Sequence, residues 1–288
     1  MHTGFRVQGS GFRVQSRSAF MLVLATLFMM LALGAAPGFA RTQPPRVIAL
    51  APHLAELAFA AGAGDTLVGT VAWSDYPDEA AALPVIGDAF RLDLERIVGL
   101  DPDLALAWQG GTPAAAAKRL ETLGIEVMWI RIRGLTDIGT ALTALGQRLG
   151  HSEQGRAAAE AYRSALAARP PAPETHLQAF YQVSERPLYT LGGRHILGEV
   201  LSRCGARNIF ADLDVEAAAV DYEAVLARKP QVIIAGNEPD GDDPLARWRH
   251  DRGLLPDELT LIALDPDTLI RPTPRIIEGI DLLCARLP

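Results

Sequence analysis

Four loop segments carry residues able to grip a ligand: Ala72–Pro77 (AWSDYP), Ala107–Gly111 (AWQGG), Leu188–Gly193 (LYTLGG) and Leu264–Arg275 (LDPDTLIRPTPR). They offer Trp73, Tyr76, Trp108 and Tyr189 as flat apolar surfaces, with Asp267 and Arg271 as polar anchors. In a chain with only 6% aromatic residues, four of them at the ends of strands suit a large, flat, partly amide-decorated ligand. His53 and His195 each open a helix that follows a strand, one in each half of the chain. A protein metal site takes three or four ligands, so His195 reads as a polar helix-start residue. His53, behind Pro52 in a loop expected to face a cleft, is the better candidate for ligand contact. Catalytic patterns are absent: the chain has no G-x-S-x-G elbow, no phosphate-cradling G-x-x-x-x-G-K and no H-E-x-x-H. The residues predict a binding protein rather than an enzyme.

A second signal is repetition. LDLERIVGLDPDLALA (Leu92–Ala107) and VDYEAVLARKPQVIIA (Val220–Ala235) match at Asp93 with Asp221, Glu95 with Glu223 and Pro102 with Pro230. ALAPHLAELAFAAGA (Ala49–Ala63) likewise lines up with GGRHILGEVLSRCGA (Gly192–Ala206), placing Glu56 over Glu199 and Gly62 over Gly205. Two matches in the same order predict two similar lobes. Glu95 and Glu223 each fall in a first helical turn behind an Asp able to cap it. An acid there gains about 0.3–1 kcal/mol from the helix dipole. Alternatively, each lobe presents one acid on the same outer face to two basic pockets of a partner, fixing orientation and encounter rate.

The elements that must position these residues alternate. From Arg46 onward short apolar strands exchange with helices, the pattern of parallel sheets built from βαβ units. Two helices, Thr136–Leu149 and one opening at Ser152, interrupt the alternation before the Pro-rich connector RPPAPET. The predicted class is α/β: two lobes with mainly parallel central sheets, joined by these central helices, the second of about 152–168, with a cleft between the lobes. The expected boundaries are 41–150 for the N-terminal lobe, 151–172 for the bridge and connector, and 173–288 for the C-terminal lobe.

Residues 1–40 read differently. Three arginines without an acid precede a long apolar run, and Pro37-Gly38-Phe39-Ala40 supplies small residues for a signal peptidase. A signal peptide cleaved after Ala40 is expected, an uncleaved anchor being the alternative for so long an apolar run. The formal net charge is −7 and becomes more negative without that leader, which disfavours nucleic acid and anionic lipid as partners. In an oxidising compartment the two cysteines, Cys204 and Cys284, read as a disulfide rather than a metal site.

RVIALAPHLAELAFAAG, SDYP, LERIVGLDPDLALAWQGG, LGIEVMW and the closing PRII…LLC resemble the periplasmic substrate-binding proteins of ABC importers for cobalamin, kin of the siderophore and haem binders. The similarity runs from about Arg46 to the C-terminus. It implies two α/β lobes on one rigid helix, a corrinoid ligand between them, no catalytic cofactor and a soluble, monomeric periplasmic protein. It also implies docking of Glu95 and Glu223 on the arginines of a dimeric inner-membrane permease, and the Cys204–Cys284 disulfide. For the ligand it implies roles for Trp73, Trp108, Tyr189, Asp267 and Arg271. This chain departs from that pattern at Ala89-Phe90, where Phe90 replaces a tryptophan, at Ala217, and at Pro52-His53, where His stands for a small residue. The departures leave haem or a ferric siderophore as an alternative ligand, and a secreted hydrolase of such chelates as a more remote alternative.

Overall fold

The strands of the two parallel sheets, three to six residues long and mostly Val, Ile, Leu and Ala, are too short and too apolar to face water, and helices lie between them in the chain. The computed structural model describes residues 1–4, 9, 44–88, 91–174, 177–237 and 243–288, with Pro44–Pro288 forming one compact unit. The leader expected over 1–40, its cleavage after Ala40 and Phe90 lie outside the described residues, apart from 1–4 and 9. Among the described residues no helix is long and apolar enough to cross a membrane.

The first lobe runs through β1 (Val47–Ala49), α1 (Pro52–Ala60), β2 (Leu67–Thr70), α2 (Asp78–Ala81), α3 (Leu94–Leu100), β3 (Leu104–Trp108), α4 (Ala114–Thr122) and β4 (Glu126–Ile130). Helices α5 (Leu135–Arg148) and α6 (Ser152–Ala167) follow. The second lobe contains β5 (Leu177–Gln182), β6 (Ser184–Glu185), β7 (Leu188–Leu191), α7 (Leu197–Arg203), β8 (Ala206–Asn208) and β9 (Ala217–Ala219). It ends with α8 (Tyr222–Ala227), β10 (Val232–Gly236), α9 (Ala246–His250), β11 (Thr260–Leu264), α10 (Pro266–Leu269) and α11 (Ile276–Cys284).

The first sheet has the order β2-β1-β3-β4, all pairs parallel. The second has the order β11-β10-β5-β8, again parallel. Counted within each lobe, both orders are second, first, third, fourth. The repeated sequence units fall on matching elements of these two sheets, with the Glu95 unit leading into β3 and the Glu223 unit into β10. Gly62 and Gly205 also match, each adopting positive φ (81° and 70°) just past the first helix of its lobe, where a side chain would be strained. One difference concerns capping. Asp93 accepts a hydrogen bond from the Arg96 amide at 3.0 Å, whereas Asp221 makes no side-chain cap. A small antiparallel sheet, β6-β7-β9, is an addition of the second lobe alone.

The expected bridging helix is α6, one residue shorter than its sequence signature. It packs along α5, where Gly146 and Gly155 let the backbones touch: a Cβ on either would lie 2.7 Å from the other's Cα. The main hydrophobic core runs without a break through both sheets and these two helices, from Val47 and Leu104 through Leu142 and Tyr162 to Tyr181, Ile234 and Ile280. Cys204 at the end of α7 is bonded to Cys284 at the end of α11.

Candidate ligand-binding site

In an open parallel sheet, ligands sit beyond the carboxyl ends of strands, where the strand order reverses. Here the chain reverses between β1 and β3, and the two segments leaving those strands carry Pro52-His53 and Trp108. Pro52 occupies the first turn of α1, where its missing N–H costs nothing, and so fixes the direction in which His53 leaves the strand. His53 stands edge-on to the Trp108 ring, centroids 5.1 Å apart. Ile132, just past β4, continues the wall. From the other lobe come Pro266, Asp267, Ile270 and Arg271 around α10, with His195, Ile196 and Glu216 beside them. Together these residues line a cleft of about 250 Å³. That is below the roughly 300–1,000 Å³ of ordinary small-molecule pockets, so a larger ligand has only part of its body between the walls.

Behind the cleft lies a chain of charges. Glu56 on α1 is 2% exposed, and its two oxygens accept from Nε and Nη2 of Arg275, both at 2.9 Å. Arg271 contacts Asp75 at 2.8 Å, Asp267 at 2.6 Å and Glu56 at 3.8 Å. The Arg275 guanidinium covers the Tyr76 ring at 3.9 Å. The SDYP segment of the first lobe is therefore clamped onto arginines of the second. Burial raises the Asp267 carboxyl against the pull of Arg271. For Asp75, burial also pushes upward, but the Arg271 hydrogen bond and charge prevail and hold it below the usual carboxylate range.

The cleft gathers Pro52, His53, Trp108, Asp267 and Arg271 from the residues singled out by sequence. Trp73 and Tyr189 do not line it. Trp73 is 81% exposed, at a positive φ of 67°, next to the clamped Ser74-Asp75. Tyr189 lies on β7, paired with Ala219, and is 38% exposed. His195, assigned only a helix-start role by sequence, lines the cleft and also serves that role: its Nδ1 accepts from the Leu197 amide at 3.1 Å. Glu56 and Arg275 were not singled out as site residues, because nothing local distinguishes them. Glu56 was marked only by the repeat that placed it over Glu199, and Arg275 only as the last residue of the loop segment Leu264–Arg275. Glu95 and Glu223 are exposed, and neither has an ion-pair partner among the described residues.

Both cleft histidines are neutral. Burial, with help from the Arg271 charge, lowers His53 to about 3, and burial lowers His195 to about 4. Unfolding restores ordinary imidazoles, which then bind protons that the native state refuses. The stability these residues contribute is present above pH 6.5 and is lost as the pH falls, toward 4 for His195 and toward 3 for His53, by at most about 1.4 kcal/mol per pH unit for each. Urea unfolding at pH 7 and pH 5 should show a lower midpoint at pH 5, and His53→Gln/His195→Gln should flatten that difference. An equal pH dependence in the double variant would contradict the assignment.

The chain matches the periplasmic binding protein family over residues 47–250. It is 35% identical over 242 residues to a vitamin B12-binding protein of Vibrio parahaemolyticus, covering 83% of this chain and 88% of that protein. The crystal structure of the periplasmic vitamin B12-binding protein BtuF of Vibrio cholerae superposes with a TM-score of 0.76 at 35% identity, covering 84% of this chain and 96% of that one. A periplasmic haem-binding protein of Pseudomonas aeruginosa is similar with a TM-score of 0.71 at 26% identity, covering 84% and 92%. With two like-ordered lobes and a cleft at the ends of their strands, the chain belongs to the periplasmic binding protein family.

Proposed function

We propose that this protein captures a corrinoid, cobalamin in the first instance, in the periplasm and hands it to a membrane ABC permease. One observation carries the reading: Trp108 and His53 from one lobe face Asp267 and Arg271 from the other across a single cleft. Apolar walls suit the edge of a macrocycle, and the acid–arginine pair suits the amides around its rim. Relatives named for vitamin B12 binding over most of their length support the same ligand class. In this reading the lobes are 41–150 and 173–288, carried on the bridge 151–172, and the leader 1–40 is removed on export. Trp73 and Tyr189 extend the contact beyond the cleft, over the part of the ligand that projects from it, and Phe90 is assigned to the ligand from the sequence alone. Haem is the second reading, favoured by His53 and by the haem-binding neighbour.

Tryptophan fluorescence separates the two. Saturable one-to-one quenching by cyanocobalamin at sub-micromolar concentration is the expected result. Tight haemin binding without a response to cyanocobalamin would move the pocket to haem.

Glu95 and Glu223 dock the two lobes on the permease in this account. Each is exposed at the first turn of a helix, on equivalent elements of the two lobes. Exposed charges of this kind set encounter and orientation and leave the cleft untouched. Glu95→Ala/Glu223→Ala should abolish corrinoid uptake in reconstituted vesicles while keeping the affinity for cyanocobalamin. Normal uptake by that double variant would sink the docking assignment.

A further inference from the structure

Beside the cleft the two lobes share a second pocket. Arg133, in the segment that leaves β4, and Arg194, in the segment that leaves β7, line a space of about 350 Å³. It borders the cleft from both lobes, because the chain neighbours Ile132 and His195 belong to the cleft wall. Glu216, on the same wall, feels the charge of both guanidinium groups. Two cations, one from each lobe, therefore stand next to the place where the body of a ligand rests.

Their charge is not used up inside the protein. Among the described residues the Arg133 guanidinium has no hydrogen-bond or ion-pair partner, and only its main-chain N–H is committed, to Asp137 at 2.8 Å. Arg194 gives Nε and Nη2 to Asp214, both at 2.6 Å, and keeps Nη1 for another acceptor. That pair is exposed on both sides, so solvent screens it. Glu216 is a poor counter-ion, since burial raises its carboxyl against the pull of both arginines. A guanidinium fork matches the oxygens of a phosphate, so the occupant that fits is an oxyanion carried by the molecule in the cleft.

Resting on the corrinoid reading above, we infer that Arg133 and Arg194 form an anion subsite for the phosphodiester that joins the nucleotide tail of a cobalamin to its macrocycle. The chemistry of the ligand class leaves one candidate. The carboxyl groups around the macrocycle are amides, so the phosphodiester is the only anionic group on the periphery. The cobinamide core lacks both the nucleotide and the phosphodiester. The subsite therefore selects complete cobalamins over the core without its tail. With one arginine from each lobe, the phosphodiester is gripped from both sides of the boundary, outside the apolar cleft.

Titration calorimetry on protein expressed from the full chain, with cyanocobalamin and separately with dicyanocobinamide, tests the assignment. Cyanocobalamin should bind more tightly, and added salt should weaken it while leaving dicyanocobinamide unchanged. Arg133→Ala leaves no partner unpaired, and should weaken cyanocobalamin by about tenfold without affecting dicyanocobinamide. Arg194→Ala should act in the same direction, and Arg133→Lys should keep the salt dependence that Arg133→Ala reduces. Unchanged cyanocobalamin affinity in Arg133→Ala, or an equal loss for both corrinoids, would overturn the inference while leaving the corrinoid reading intact. Failure of both corrinoids to bind the wild type would overturn both.

Discussion

The carboxylate of Glu56 is out of reach of water, and a buried anion is tolerable only when it is fully paired. Arg275 meets it with two parallel hydrogen bonds, the geometry in which a guanidinium pairs best with a carboxylate. Because Glu56 belongs to the first helix of one lobe and Arg275 to the start of the last helix of the other, the pair fixes the lobes against each other. The remaining site depends on it. Arg271, four residues before Arg275, is drawn into the same cluster and in turn holds Asp75 and Asp267. Without the Glu56 anchor, two neighbouring cations of the second lobe would face the first with only partly exposed acids to balance them.

Packing reinforces what charge begins. The α5–α6 contact at Gly146 and Gly155 brings two helices together at backbone distance, and the core passes through them from sheet to sheet. Glu199, the counterpart of Glu56, serves a different end: its carboxylate accepts from the Leu135 amide at 3.0 Å and so caps α5 from the second lobe. The Tyr162 hydroxyl donates to the Leu135 carbonyl at 2.8 Å, tying α6 to the same turn. The disulfide then closes an 80-residue span onto the last helix, a constraint worth about 4 kcal/mol in the chain-entropy picture. A continuous core, a bonded boundary and tight helices leave little room for hinge motion. The cleft is thus formed before ligand arrives.

How much of this was legible in the sequence follows from the range of each interaction. Strand and helix alternation is local, so the two sheets, the helical bridge and the repeat of the Glu95 unit could be read directly. The antiparallel β6-β7-β9 sheet was not read in full, because β6 and β9 have two and three residues and no periodicity to speak of. Within the site, Pro52, His53, Trp108, Asp267 and Arg271 were legible, because each lies in a loop at a strand end, where a parallel sheet must place its ligand. Trp73 and Tyr189 satisfied the same rule, yet the clamp on Asp75 and the pairing of β7 leave them outside the cleft lining. The alignment of Glu56 with Glu199 was visible, but their uses were not. One meets an arginine 219 positions away and the other a helix end 64 positions away, and no local pattern encodes such partners.

If the charge cluster and the continuous core preform the cleft, the separation of the lobes must not depend on ligand. Spin labels at Lys118→Cys and Glu258→Cys, exposed positions in opposite lobes, report that separation by pulsed electron resonance. Saturation with cyanocobalamin is followed by tryptophan quenching on the same sample. The account predicts one narrow distance in the free protein, unchanged on saturation to within about 2 Å. A broad distribution in the free protein that contracts by several ångströms on binding would contradict it.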